Sequence, residues 1–482
     1  MFNLPLVRVS ATLCLLLFLQ ACATNPVTGR TELALSESWE RGVGPQYHEQ
    51  IMKEYTVYDD PELQAYVNKI GQRLAAKSHR PDLPFTFTLL DSPQVNAFAI
   101  PGGYVYVTRG IMAYMTKEAH LAGVIGHEIG HVTARHGAQR AAQQQVAGVG
   151  SAAVAIATGS SGLAQASNVL GGALMSGYGR TQELQSDSLG AEYIAKNNYS
   201  PDDMIGVIGI LKNQELFNRE RAQAEGREVQ SYHGLFSTHP QNDTRLQGVI
   251  KAADKFRDLS KPEPDNGEFL RLSNGMAFGD SEKQGITRDN KFYHSAMDLF
   301  VEFPKGWRIQ NTPSQLMAVS PANDQAIVMK VDTTATQGSA SQYLSSKFQS
   351  LRDGRSVNAY EGDAYAAVAS LRNQQTGQST NFRVSAIKRN DQTFVIQGLG
   401  QSTLPNQDFF DVTTSVRRLK KSEEPLAKGR RIKLITAKSG DTIAKLAKRS
   451  NLSDYAEAQL RLVNDLYPDG EPTPGQIIKI IE

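Results

Sequence analysis

The chain has 482 residues, 40% of them hydrophobic, and a formal net charge of +2. That length exceeds one ordinary domain and predicts about two to four. Basic and acidic residues are mixed along it, with no long basic block carrying interleaved aromatics, which leaves no case for nucleic acid as a partner.

The N-terminus, MFNLPLVRVSATLCLLLFLQAC, has one positive charge, Arg8, and then the apolar run Val9 to Leu19. A bilayer span needs about 20 apolar residues, so this run is too short and has the size of a signal-peptide core. It ends in Leu19-Gln20-Ala21-Cys22, which resembles a bacterial lipoprotein cleavage site. On that reading residues 1–22 are a lipoprotein signal segment, Cys14 is removed and Cys22 carries lipid. The mature chain then keeps no cysteine for a disulfide, a thiolate nucleophile or a metal ligand. In the lipoprotein class it resembles, Asp after the lipidated Cys retains a protein at the inner membrane. Ala23 stands there instead, which implies a lipid anchor in the bacterial periplasm, on the inner leaflet of the outer membrane.

Residues 23–35 read as a polar tether. From about Ser36 to Ser78, apolar residues recur at helical spacing, with Leu63, Tyr66, Val67, Ile70 and Leu74 in one run. Asp59, Asp60 and Pro61 are the start signal of that second helix. FTFTLL (85–90) alternates as a strand, and VNAFAIPGGYVYVTRG reads as two strands joined at Pro101-Gly102-Gly103. One long helix is predicted over 116–144. The stretch 145–177 is rich in Ala, Gly, Ser and Gln and reads as a mobile flap. RTQELQSDSLGAEYIAKN (180–197) is a helix that stops before Ser200-Pro201, and helices follow over 201–224 and 240–258. DLSKPEPDNGE (258–268) is a linker. Beyond it, short alternating segments and one helix over 338–354 predict an antiparallel α+β accessory domain, 269–420. No catalytic constellation appears there, and its lone His294 reads as structural or surface-bound. A second linker, KKSEEPLAKGRR (420–431), leads to a C-terminal unit over 432–482.

The chemistry concentrates in VIGHEIGHVTARHG (124–137), which holds His127, Glu128 and His131 as H-E-x-x-H. Residues four apart share a helix face, so both imidazoles can meet one ion with Glu128 beside them. Leu121, Val124, Ile125, Ile129 and Val132 make the helix apolar nearly all round, and buried polar groups on it need partners. A catalytic zinc site takes three protein ligands and keeps one open position. His136 lies five residues past His131, which on a continuing helix turns it about 140° away. It is left to cap or pack the helix end. Glu183 and Asp187 are four apart on the next predicted helix. One could bind zinc while the other orients a ligand histidine, or both could form a solvated face.

HEIGH with ELQSD, NAFAIPGG upstream and STHP downstream resembles the HtpX-like and CAAX-prenyl-protease-like family of zinc metallopeptidases, above all its soluble periplasmic lipoprotein members. The likeness covers roughly residues 35 to 255. It implies one Zn2+ per chain held by His127, His131 and Glu183, with Glu128 as general base and Asp187 orienting a ligand histidine. It also implies that Asn96, Ala97, Phe98 and Ala99 lie on an edge strand that pairs with an extended substrate. His239 matches a His-Pro motif that in some relatives occupies the metal's open position. Arg245 would stabilise an oxyanion or form a salt bridge within the domain. Tyr178 and Tyr193 could serve similarly, and nothing in the sequence selects either.

The C-terminal pattern, GDT…IA…N…PGQ.IKI, resembles a LysM module, which in relatives binds glycans such as peptidoglycan. The predicted whole is an α+β multidomain chain. It joins a mainly helical HExxH metallopeptidase (gluzincin-like) domain with a small sheet (36–258), the accessory domain and a LysM-like βααβ module. The implied function is zinc-dependent hydrolysis of peptide bonds in misfolded or misassembled envelope proteins. The rival reading is a latent or non-catalytic wall-bound scaffold, its zinc closed off by His239.

Overall fold

Two short strands open the described residues where a tether was expected. β1 (Cys22–Thr24) pairs antiparallel with β2 (Thr31–Leu33). The cause is long-range: Asn25 Nδ2 donates to Ala134 O at 3.2 Å, and Ala34 and Leu35 pack against Ala138, Ala141 and Ala142. The structure, a computed structural model, describes residues 22–146, 178–226, 242–259, 261 and 266–482, apart from 313, 335–337, 349, 361, 373–378, 390–391, 401–405 and 453. The signal-peptide core, nearly all of the predicted flap and His239 lie outside the described residues.

The chain divides into two compact units. The first comprises Met1–Met52, Val57–Phe278 and Arg431–Glu482. After a helix over Glu37–Glu54, Asp60 caps the helix Pro61–Ala75 by accepting from Leu63 N at 3.0 Å. Pro61 takes its first turn, where no N–H is missed. Leu63, Tyr66, Val67, Ile70 and Leu74 are its buried stripe. It packs on a three-stranded sheet of β3 (Thr86–Leu90), β4 (Ala97–Ile100) and β5 (Tyr104–Thr108), in the order β3-β5-β4. β5 is parallel to β3 and antiparallel to β4, which leaves β4 at the edge, against the motif helix. Gly103 joins the last two strands at φ 91°, and a Cβ there would lie 2.7 Å from Pro84 O.

The motif helix spans Glu118–Thr133 and is buried from Ala119 to Thr133. One helix was expected over 116–144. Instead the chain turns at Ala134 and Arg135, Arg135 adopting φ 60°, before helix resumes over 136–146. The break is tertiary: Arg135 donates to Glu40 Oε2 and to Leu35 O. The carboxylate helix, Arg180–Lys196, ends at Asn197 with Asn198 left-handed at φ 63°. Helices Asp203–Ala224, Asn242–Phe256 and Glu268–Ser273 follow, then β6 (Ala277–Phe278). The first unit thus continues to Phe278 before the second begins at Gly279.

The second unit, Lys53–Thr56 with Gly279–Arg430, is antiparallel, as expected. One sheet joins β7 (Ile286–Arg288), β8 (Lys291–His294) and β9 (Leu299–Glu302). The other has seven strands: β10 (Arg308–Thr312), β11 (Gln315–Val319), β12 (Gln325–Asp332), β13 (Leu351–Ala359), β14 (Gly362–Arg372), β15 (Ser379–Arg389) and β16 (Gln392–Gly400). Their order is β10-β11-β12-β16-β15-β14-β13. The helix predicted over 338–354 is only Ala340–Lys347. Phe348 is extended, and with Leu351 it packs into the cluster of Tyr343, Leu344 and Phe382. The segment 420–431 is no linker. It carries a 3₁₀ helix, Lys421–Ala427, held by Arg417 to Glu423 at 2.7 Å and by Ala427 against Tyr293 and Phe300.

The C-terminal module returns to the first unit. β17 (Arg430–Thr436), helices Ile443–Ala447 and Ala456–Val463, and β18 (Ile477–Ile481) give the expected βααβ order. β6 adds a third strand beside β17, so the module's sheet is completed by residues far upstream. Its Ile432, Ile443, Leu460, Val463 and Ile480 belong to one apolar core with the motif helix.

Candidate metal centre

Small residues let the two functional helices touch. A Cβ on Gly130 would sit 3.1 Å from Ser186 Cα, and one on Gly190 would sit 3.1 Å from His127 N. The motif helix thereby presents His127 and His131 to Glu183 across a minimal gap. His127 Nε2 lies 3.0 Å from His131 Nε2 and 3.6 Å from Glu183 Oε2; His131 Nε2 lies 3.4 Å from Glu183 Oε1. All three side chains are buried, and they form the one candidate metal group among the described residues.

The outer faces of these ligands are engaged. His127 Nδ1 is 2.9 Å from Asp187 Oδ1. Arg245 grips Asp187 in bidentate fashion, Nε to Oδ2 at 2.8 Å and Nη2 to Oδ1 at 2.7 Å, and its Nη1 lies 3.3 Å from Glu183 Oε2. Burial drives the His127 pKa down, but the Asp187 and Glu183 carboxylates outweigh it and raise it to about 9. Burial likewise pushes Asp187 up, and Arg245 wins, holding it below its usual value. Arg245 is itself raised: the carboxylates of Asp187, Glu183 and Glu128 more than offset burial.

His131 has different company. Its Nδ1 is 2.9 Å from His136 Nδ1, and His136 Nε2 is 3.0 Å from Gln185 Oε1. Tyr178 stacks on the His131 ring at 3.8 Å, with Arg140 4.0 Å above Tyr178. Burial lowers the His136 pKa to about 4, Gln185 opposing. The expectation that His136 points away is therefore corrected. The helix on which it was drawn ends at Thr133, and the turn at Arg135 brings His136 back onto His131. No local signal marks that turn, because Thr133, Ala134 and Arg135 all tolerate a helix.

The residues fit a zinc ion. Tetrahedral bonds of about 2.0 Å place ligand atoms about 3.3 Å apart, and the three separations here are 3.0, 3.4 and 3.6 Å. Three buried carboxylates, Glu128, Glu183 and Asp187, outnumber the guanidinium of Arg245 that pairs with them, a surplus of negative charge that favours a cation. Beside them Val124, Met204, Val207 and Leu211 line a small apolar recess bordered by His127, Glu128 and Arg245. Asn96 is buried, and Ala97, Phe98 and Ala99 lie on edge strand β4. Arg245, expected at an oxyanion or in a salt bridge, is committed to Asp187 and Glu183. Tyr193 bonds Thr133 and His79, and Tyr178 covers His131.

Residues 61–253 match the model of peptidase family M48, and residues 435–480 match the LysM domain. A beta-barrel assembly-enhancing protease of Yersinia pestis is 31% identical over 239 residues, 48% of this chain and 46% of that one, so the chain spans about half of this relative's length. The protein of the same name from Escherichia coli K12 is 25% identical over 374 residues, 71% of this chain and 74% of that one. A mitochondrial metalloendopeptidase of Schizosaccharomyces pombe is 27% identical over 230 residues, 46% of this chain and 64% of that one. No helix among the described residues is long and apolar enough to cross a membrane.

Proposed function

We propose that the chain, whose residues 61–253 match the model of peptidase family M48, is a zinc-dependent endopeptidase that cleaves misfolded or misassembled envelope proteins. The observation that carries this reading is the buried His127–His131–Glu183 group with Glu128 on the same helix. His127, His131 and Glu183 would hold the ion. When bound, zinc polarises a carbonyl and lowers the pKa of water toward about 7.

The rest is the work of the chain. Glu128 takes the proton of the attacking water and returns it to the leaving amine. Asp187 holds the His127 Nδ1 proton, so that Nε2 stays a ligand. Arg245 acts through Asp187, holding its carboxyl below the usual value, and lies beside Glu183. The edge of β4, with Asn96, Ala97, Phe98 and Ala99, pairs with an extended substrate backbone.

The substrate class is drawn from the relatives' names, which speak of beta-barrel assembly. Cys22 and the segment before it support a lipid anchor in the periplasm, at the outer membrane. The LysM domain supports contact with peptidoglycan. The test compares wild type with Glu128→Gln on an unfolded protein, each with its zinc content measured. Cleavage should fall by at least 10²-fold, a typical general-base contribution, with zinc retained. Equal cleavage, or none by either protein despite one bound zinc, would favour a non-catalytic scaffold.

A further inference from the structure

We propose that His136 is a positioning residue for the metal: with Gln185 it fixes which nitrogen of His131 is free to bind. This rests on the zinc reading above. His131 Nε2 faces His127 and Glu183, as a ligand atom must. A nitrogen that binds a cation carries no proton, so in the loaded site the His131 proton sits on Nδ1. That atom is 2.9 Å from His136 Nδ1, and only one atom of such a pair can carry the proton. His136 Nδ1 is therefore the acceptor, and its own proton sits on Nε2. There Gln185 Oε1, 3.0 Å away, accepts it. Ser186 Oγ lies 3.4 Å from the same His136 nitrogen. The relay Gln185–His136–His131 has one proton arrangement that leaves Nε2 bare, and every member supports it.

The two metal histidines thus have unlike partners. His127 has a carboxylate, balanced by Arg245; His131 has a neutral imidazole. A carboxylate in place of His136 would add a further buried negative charge beside Glu183.

The test measures zinc affinity of the full-length protein by competition with a chromogenic chelator, and the visible spectrum of the cobalt-substituted form. His136→Leu should bind zinc about 10- to 100-fold more weakly, the usual cost of losing such a partner. His136→Asn, whose amide oxygen replaces Nδ1 as acceptor, should recover most of that loss and the wild-type cobalt spectrum. Wild-type affinity in His136→Leu, or equal losses in the Leu and Asn variants, would overturn the proposal and leave His136 a packing residue. Should His136→Leu fail to fold, Gln185→Met carries the test: weaker zinc binding supports the relay, and unchanged binding refutes it. If wild type itself binds no zinc, the metallopeptidase reading fails first, and that result is plain before any variant is made.

Discussion

Asp187 is where the charge of the site is settled. One carboxylate meets His127 Nδ1 and two nitrogens of Arg245, all buried. Asp187→Asn should cost about 3–5 kcal/mol, because it strands a buried guanidinium, and weaken zinc binding about 10- to 100-fold. Urea unfolding and chelator competition read the two effects separately. Adding Arg245→Met should restore part of the stability without restoring zinc affinity; joint recovery would mean that Asp187 serves only the ion pair. At this scale the sequence was most legible. The spacing in HEIGH puts His127, Glu128 and His131 on one helix because four residues are about one turn. Spacing alone could not tell which of the pair Glu183 and Asp187 faces both imidazole Nε2 atoms and which meets His127 Nδ1. Both share a face of the carboxylate helix, and their roles separate only where the motif helix crosses it.

Helix contact, rather than any single ligand, sets the width of the metal pocket. Gly126 and Gly130 face Gly190 and Ser186, and the nearest atoms to a Cβ on Gly130 are Ser186 Cα and O, at 3.1 Å. These are backbone atoms, so the carboxylate helix itself must move to make room. Gly130→Ala gains up to about 1 kcal/mol of helix propensity and incurs overpacking of about 1–3 kcal/mol. A small net loss in unfolding free energy is expected. Zinc affinity should fall more than tenfold, because the shift separates Glu183 from both imidazoles. Unchanged affinity in a folded variant would show that the pocket tolerates a wider crossing. Elements with strong local signals were readable: the Asp60 cap, the alternating strands, the Pro101-Gly102-Gly103 turn. Those shaped from afar were not. The break at Arg135 is imposed by Glu40 and Leu35 O, and the hairpin at residues 22–33 by Ala134 and the alanines of 138–142. Composition near a segment says nothing about a partner a hundred residues away.

Across the first unit, the C-terminal module is bound in by more than chain connection. β6 completes its sheet, and Lys479, on β18, is 1% exposed with Nζ donating to Ala113 O at 2.9 Å and also to Met115 O, in the segment just before the motif helix. Burial pushes the Lys479 pKa from 10.5 down to about 7, with Asp465 opposing. Lys117 and His120 also lie in this region, and burial keeps His120 neutral with a pKa of about 3. The sign follows from proton counts. Between pH 7 and 10.5 the unfolded chain holds the lysine proton and the folded chain does not, so stability rises with pH through that window. It is lost again as pH falls toward 7. Each pH unit of the window is worth about 1.4 kcal/mol, so the swing is of order a few kcal/mol. Lys479→Met removes the titration while keeping a long apolar stem against Phe269. Urea midpoints of the full chain, measured from pH 6 to 10, should climb for wild type relative to the variant as pH passes 7. Parallel curves would place Lys479 in contact with water. They would then argue for a module that hangs on the peptidase domain rather than one built into it.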